Sequence, residues 1–375
     1  MTIKIFHTAD LHLGMKFARY PSIQNELINA RYGTLEKMVE IANREKCDLF
    51  IIAGDLFDRV TVKPVEIKKA VDILNEFAGD LVLVLPGNHD FYTGDSSLWK
   101  EFSKHAGDRV LVLNELRVYD LREHHLDVAI FPATCGSKYS EKNMLGWIEP
   151  DMLNEAGLIK IGVVHGSLEG ISPDFKKNYY PMTKKELESI GLGLWLLGHT
   201  HLPWPEKIEK YSRILIPGTA EPDGFDCSHE GNAYIITANS PSDINIKMVN
   251  TGKYKFRIEQ VLLQDRHGIE QMKEKFSKDD YRNTVLRLNL KGRLKKEELE
   301  QVNEAVKLIE ENVLHLQLIQ DELNEEINLE LINSEFTQDS FPHRLLLSLL
   351  CDKEEVSYKA LQKAYDLIKD IGNEN

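Results

Sequence analysis

Cysteine is scarce. The chain has 375 residues and four cysteines, Cys47, Cys135, Cys227 and Cys351, so widely spread that no C-x-x-C pair forms. That spacing argues against a disulfide framework and a thiolate zinc site, and reduced, mostly buried thiols are expected. Long hydrophobic runs are also missing. "VLVLP" and "LFIIAG" are far shorter than the roughly 20 residues that cross a bilayer. The N-terminal "MTIKIFHTADLHLG" has no basic segment leading into a long apolar one, so no signal peptide is expected. The reading is a soluble, cytoplasmic protein without membrane contact. Positive charge is in deficit: 46 Lys and Arg against 60 Asp and Glu give a net charge of −14. Such a balance argues against non-specific nucleic-acid binding by the whole surface. It leaves room for a local basic groove, a site neutralised by cations, or a partner that supplies positive charge.

What is present is a layered α/β pattern. Hydrophobic residues at 42% and charged residues at 28% are ordinary for a globular chain, and the length predicts two or three domains. Up to about residue 220, short apolar runs alternate with helical patterns. The runs "IKIFHTA", "DLFIIAG", "LVLVLP", "DVAIFPA", "IKIGVVH" and "LWLLG" read as strands buried on both faces. "QNELINARYGTLEKMVEIANREK" has apolar residues at three- and four-residue spacing, and "PVEIKKAVDILNEFAG" is punctuated by Pro and Gly; both read as helices. This is the βαβ signature. From "RILIPGTAEP" to "NIKMVNTG" strands follow one another without helices and are expected to close a second sheet.

Gly252 marks a boundary. Beyond it, "KYKFRIE" alternates, with Tyr254, Phe256 and Ile258 predicted on one face. "VLRLNLKG" and "LHLQLI" alternate likewise, around the exposed helix "KKEELEQVNEAVKLIEENV". The expected organisation is a domain over 1–251, a small α/β domain over 252–335 and a helical segment over 336–375. In the last, "FPHRLLLSLLC" and "SYKALQKAYDLIKDI" read as helices. Ala360, Leu361, Ala364, Tyr365 and Ile368 form a stripe that packs on its own domain or binds a partner.

The strand exits carry the chemistry. "TADLHLG" presents Asp10 and His12, "AGDLFDR" Asp55 and Asp58, and "PGNHD" Asn88, His89 and Asp90. "IKIGVV" ends at His165, and "LWLL" ends in "GHTH", with His199 and His201. Ligands of open α/β sheets bind beyond the carboxyl ends of the strands, so these side chains converge on one crevice. Carboxylate, imidazole and amide oxygen suit Mn²⁺, Fe²⁺ or Zn²⁺. Gly54, Gly87 and Gly198 are expected to let the backbone turn sharply and approach the ions. Asp90 reads as an anchor for its turn, His7 as a hydrogen-bonded structural histidine, and His124 and His125 as surface residues. Lys16, Arg19 and Arg59 follow ligand loops and are candidates for contacts to substrate phosphates or for solvated charge. "DFKKNYYP", with Lys176, Lys177, Tyr179 and Tyr180, suits single-strand contact and base stacking or is an ordinary loop.

The ordered set D-x-H, G-D-x-x-D, G-N-H-D, an isolated strand-end His and G-H-x-H resembles the calcineurin-like metallophosphoesterase superfamily over about residues 5 to 220. Within it, "IFHTADLHLG", "GDLFDR" and "LPGNHD" resemble the SbcD-type DNA repair exonucleases and their YhaO-like branch. That resemblance implies two divalent ions, Mn²⁺ favoured. Asp10, His12, Asp55 and His201 would hold one, and Asp55, Asn88, His165 and His199 the other, with Asp55 bridging. It implies His89 as proton donor to the leaving oxygen, with Asp58 hydrogen-bonding and orienting that imidazole. It further implies 3′-to-5′ exonuclease and single-strand endonuclease activity on DNA, a homodimer, and an SbcC-like coiled-coil ABC-type ATPase partner. The ligand set serves a small-molecule metallophosphodiesterase or phosphatase equally well. A regulatory subunit without catalysis would be expected to lack ligands, and none is missing here.

Overall fold

The computed structural model describes residues 2–154, 157–209, 211–351 and 355–373. It divides into two units: one runs to Arg257 and takes in Asn283–Val285, and the other comprises Ile258–Arg282 and the chain from Leu286 on.

In the first unit β1 (Ile3–Thr8), α1 (Gln24–Arg44), β2 (Leu49–Ala53), α2 (Pro64–Asn75), β3 (Leu81–Leu85), α3 (Ser97–His105) and β4 (Val110–Val112) form successive βα repeats. There follow β5 (Tyr119–Asp120), β6 (Val128–Ala133), β7 (Ile159–His165), α4 (Lys184–Ile190), β8 (Leu194–Gly198) and β9 (Ile214–Leu215). Then come β10 (Asn232–Ala238) and β11 (Ile244–Asn250). One sheet has the order β11-β10-β1-β2-β3-β4 and the other β5-β6-β7-β8-β9. The fold is thus layered α/β, two sheets flanked by helices.

One expectation is corrected. The late strands do not all close the second sheet: β9 does, but β10 and β11 return to the first, β10 lying antiparallel to β1. A strand's own sequence does not reveal which sheet edge it joins.

The strands read as unbroken apolar runs because both faces are covered. Phe50 and Ile52 of β2 pack with Leu35, Met38 and Trp99 on the helical side. Leu49 and Ile51 pack with Ile161, Val163 and Leu196 between the sheets. His7 shares the inter-sheet face of Ile3 and Ile5. It is fully buried, and neither ring nitrogen has a hydrogen-bond partner among the described residues. The expected hydrogen-bonded histidine is instead a neutral ring in an apolar layer, its pKa lowered by burial to about 3.

The boundary falls inside β12 (Lys255–Leu263), which is followed by α5 (Arg266–Phe276), β13 (Thr284–Leu294), α6 (Lys296–Asn312) and β14 (His315–Glu325). The sheet order β12-β13-β14 makes the second unit a small α/β body. Its core joins Leu263, Met272, Phe276, Leu288, Leu290, Val302 and Ile309. Ile258 does not share the buried state of Tyr254 and Phe256. It is 52% exposed, because in this unit β12 turns Val261 and Leu263, the opposite face, toward the core. The chain ends in α7 (Leu329–Glu335), α8 (Phe341–Cys351) and α9 (Glu355–Asn373). Leu361 and Tyr365 of the predicted stripe pack on Ile327, Ile332 and Leu346, with Ala364 and Ile368 at the margin. Ala360 is exposed.

Candidate metal centre

The parallel strands β1, β2 and β3 of one sheet and β7 and β8 of the other deliver their carboxyl ends to one place. The loops after β1 and β2 are zipped together by the main chain: Asp10 N–H to Gly54 O at 3.2 Å, His12 N–H to Asp55 O at 3.0 Å and Leu13 N–H to Leu56 O at 2.9 Å. Asp10, His12, Asp55 and His199 all have positive φ, between 46° and 91°. Left-handed backbone at non-glycine residues costs about 1–3 kcal/mol each and persists where surroundings enforce it, often at functional sites. Gly54 turns with φ of 93°. Gly87 and Gly198 serve differently from expectation. They keep ordinary φ, but a Cβ would lie 2.2 Å from Asp55 Oδ1 at Gly87 and 2.0 Å from the Ala53 carbonyl at Gly198.

Seven side chains converge. His12 Nε2 is 3.1 Å from His201 Nε2 and 3.8 Å from Asp55 Oδ2. His165 Nε2 is 3.3 Å from the same Asp55 Oδ2 and 3.0 Å from Asn88 Oδ1. His199 Nδ1 is 3.1 Å from Asn88 Oδ1. Ligand atoms of Asp10, His12 and His201 lie within 4.8 Å of one another, as do those of Asp10, Asp55 and His165. Asp55 stands in both halves. Its Oδ1 accepts the His89 N–H at 2.8 Å, while Oδ2 faces the two imidazoles.

The donor set fits divalent cations. His165 Nδ1 faces the Ala53 carbonyl at 2.9 Å, so in the neutral ring it carries the hydrogen and Nε2 turns its lone pair to the Asn88 and Asp55 oxygens. His201 Nδ1 faces Asp223 Oδ2 at 3.3 Å, which turns its Nε2 lone pair toward His12. Acceptors this close to acceptors need positive charge between them. Protonation shifts express the same demand. Burial lowers the His165 pKa, but the Asp55 carboxylate outweighs it and lifts the ring to about 9. Burial likewise opposes the Asp223 carboxylate at His201, whose pKa stands well above the ordinary value. Burial pushes Asp10 up to about 6. It would do the same to Asp55, but the charge of His165 holds that carboxyl well below the usual range. His12 and His199 are pushed down by burial, His199 to about 3.

His89 stands beside these groups, its ring edge-on to His12 at 4.8 Å. Its Nδ1 is 2.9 Å from the main-chain carbonyl of Asp58. The Asp58 carboxylate, expected to orient the ring, is paired with Arg59 at 2.5 Å. Arg59 also donates to the Gly14 carbonyl at 3.1 Å and is therefore engaged in holding the loop. Lys16 and Arg19 are exposed on the loop after His12. Asp90 anchors its turn as expected, accepting from Gly87 N–H at 2.7 Å and Phe57 N–H at 3.0 Å. Cys47, Cys135 and Cys227 are buried free thiols, and Cys351 is an exposed one.

Sequence reasoning missed two residues here. Asp223 backs His201, and Arg31 backs Asp223 at 3.1 Å. Tyr179, a candidate from "DFKKNYYP", brings its ring 5.0 Å from that of His199. A carboxylate behind a ligating imidazole is a general pattern, and "TAEPDGFD" after the last strand-end histidines was the available signal for Asp223. Tyr180, its neighbour in "DFKKNYYP", is buried, with its hydroxyl donating to the Ser137 carbonyl at 2.8 Å.

Among the described residues no helix is long and apolar enough to cross a membrane. The chain is 26% identical over 236 residues to the uncharacterized metallophosphoesterase YhaO of Bacillus subtilis (strain 168), covering 58% of this chain and 53% of that one. It is 26% identical over 238 residues to the DNA double-strand break repair protein Mre11 of Methanopyrus kandleri, covering 60% and 50%. It is 36% identical over 93 residues to the SbcD component of the nuclease SbcCD of Staphylococcus saprophyticus, covering 24% and 23%. The chain thus spans about half the length of the longer-matching curated relatives. Residues 3–203, more than half of the chain, match the calcineurin-like phosphoesterase model, and with the strand-end ligand set in place the chain belongs to that metal-dependent family.

Proposed function

We propose that this protein is a two-metal DNA nuclease that hydrolyses phosphodiesters at DNA ends and in single strands, with 3′-to-5′ exonuclease polarity. The observation that carries the reading is Asp55. One of its oxygens faces both the His12 and the His165 sides of the cluster, which is the place of a shared anionic ligand. Asp10, His12, Asp55 and His201 would hold one ion, and Asp55, Asn88, His165 and His199 the other, Mn²⁺ being the favoured metal and Fe²⁺ or Zn²⁺ alternatives. When bound, the pair supplies Lewis-acid charge for the phosphate oxygens and acidifies water.

The chain's own residues do the rest. His89 is fixed at Nδ1 by the Asp58 carbonyl and at its main-chain N–H by Asp55. That leaves Nε2 to pass a proton to the departing oxygen as general acid. Lys16 and Arg19 are exposed where a phosphate backbone could be met.

The likeness to a DNA double-strand break repair protein and to a subunit of a nuclease supports DNA as substrate, and the motif resemblance implies a coiled-coil ABC-type ATPase as partner, with a homodimeric catalytic core. On α9, Leu367 is 53% exposed and off the face that packs through Leu361 and Tyr365, which suits a helical partner. The net charge of −14 favours the second reading, a small-molecule phosphodiesterase.

The test sets end-labelled duplex, single-stranded DNA and a small chromogenic phosphodiester side by side, with Mn²⁺ and with chelator. Metal-dependent shortening of DNA is expected. Turnover of the small diester with DNA left intact, also in the presence of candidate ATPase partners, would overturn the nuclease in favour of the second reading.

A further inference from the structure

We propose that the buried Arg31–Asp223 pair is a positioning device for one half of the metal centre, setting the affinity of the ion at Asp10, His12, Asp55 and His201 separately from the other. The inference rests on the two-ion reading and adds two residues that no ligand motif contains.

Arg31 lies on α1, which contributes no ligand, and is 2% exposed. A guanidinium in such a place is costly unless its charge is met. Its Nη1 donates to the Leu11 carbonyl, and its Nη2 lies 3.1 Å from Asp223 Oδ2. The Phe17 ring covers it at 5.4 Å. Leu11 stands between Asp10 and His12, both left-handed. Asp223 Oδ2 reaches His201 Nδ1 at 3.3 Å. One cation therefore braces the loop after β1 directly and the loop after β8 through Asp223.

Asp223 Oδ2 stands 3.3 Å from His201 Nδ1 and so sets the aim of Nε2. Arg31 meets the charge of that carboxylate and holds it in place, so the placing of His201 depends on both residues. The planar fork of Arg31 also fixes the Leu11 carbonyl, and with it the spacing of Asp10 and His12. Lysine, with a single point of charge, cannot do both. The other half is held differently: His165 by the Ala53 carbonyl, and Asn88 between His165 and His199.

The experiment is a Mn²⁺ titration by calorimetry, with metal analysis and electron paramagnetic resonance of the loaded protein. The parent should bind two ions and show an exchange-coupled Mn²⁺ signal. In Arg31→Lys and in Asp223→Asn, one ion should keep the parent's affinity and the other weaken about 10–100-fold. The coupled signal should give way to that of isolated Mn²⁺. Melting curves with chelator establish that each variant folds. Arg31→Met with Asp223→Asn removes both charges together, and stands in if a single change leaves an unfolded chain. Folded variants that bind both ions as the parent does, or lose both equally, would overturn the proposal. A parent that binds fewer than two ions would overturn the two-ion reading itself, and is seen before any variant is made.

Discussion

At His89 the structure separates two duties that a histidine among metal ligands could confuse. Its Nδ1 is spent on the Asp58 carbonyl and its N–H on Asp55, so the ring is positioned without needing an ion. His89→Gln is therefore expected to keep both metals and lose turnover by about 10²–10⁴-fold, the usual reach of general acid–base catalysis. Metal analysis alongside single-turnover cleavage checks this, and undiminished hydrolysis would remove the role. Asp55 has the opposite signature. Asp55→Asn withdraws the charge facing both His12 and His165, so both ions should go together. A parent that gains thermal stability with Mn²⁺, as a ligand binding only the folded state requires, should have a variant whose melting temperature ignores the metal. A full Mn²⁺-dependent rise in Asp55→Asn would contradict the bridge.

At the level of elements, β1 shows both how far the sequence was legible and where it stopped. Its run of buried residues and its exit into Asp10 and His12 could be read directly, because strand period and ligand type are local properties. The same held for β2, β3, β7 and β8, and so for all seven proposed ligands. What could not be read were contacts made across the chain. Asp223 reaches back to a helix residue at position 31, and β10 returns to pair with β1. Nor could the sequence show that Asp58 would present its carbonyl rather than its carboxylate to His89, since both belong to one residue.

His7 is the remaining lesson of β1. A histidine inside an apolar strand looked like a bonded one, yet its ring stays neutral down to about pH 3 without a partner. Between that value and the unfolded pKa near 6.5, the unfolded chain binds a proton that the folded chain refuses, so stability falls as pH falls. The loss is about 1.4 kcal/mol for each pH unit well below 6.5. His7→Leu should flatten this acid limb, gaining on the parent in urea melts at pH 5 relative to pH 7. Parallel pH profiles for the two would mean that His7 is solvated or bonded after all.

For the molecule as a whole, the question is how a chain of net charge −14 would hold the polyanion of the proposed reaction. Before ions enter, the carboxylates of Asp10 and Asp55 are met by the raised-pKa rings of His165 and His201, so the centre offers phosphate little positive charge of its own. Most of the affinity for DNA should then come from the bound cations and a few exposed groups such as Lys16 and Arg19, rather than from a broad basic groove. Counterion release distinguishes the two, because log K falls with log salt by about 0.7 for each single-strand phosphate neutralised. With His89→Gln, which should bind without cutting, a single-stranded oligonucleotide should bind only when Mn²⁺ is present. Its salt slope should be shallow, about −1.5 to −2, equivalent to about two or three phosphates. A slope steeper than about −5, or binding that survives chelation, would mean that a basic surface carries the affinity and that the ions serve chemistry alone. The shallow slope would fit the proposed ATPase partner: an acidic nuclease that grips only the phosphates at its metals would need a second protein to keep it on DNA.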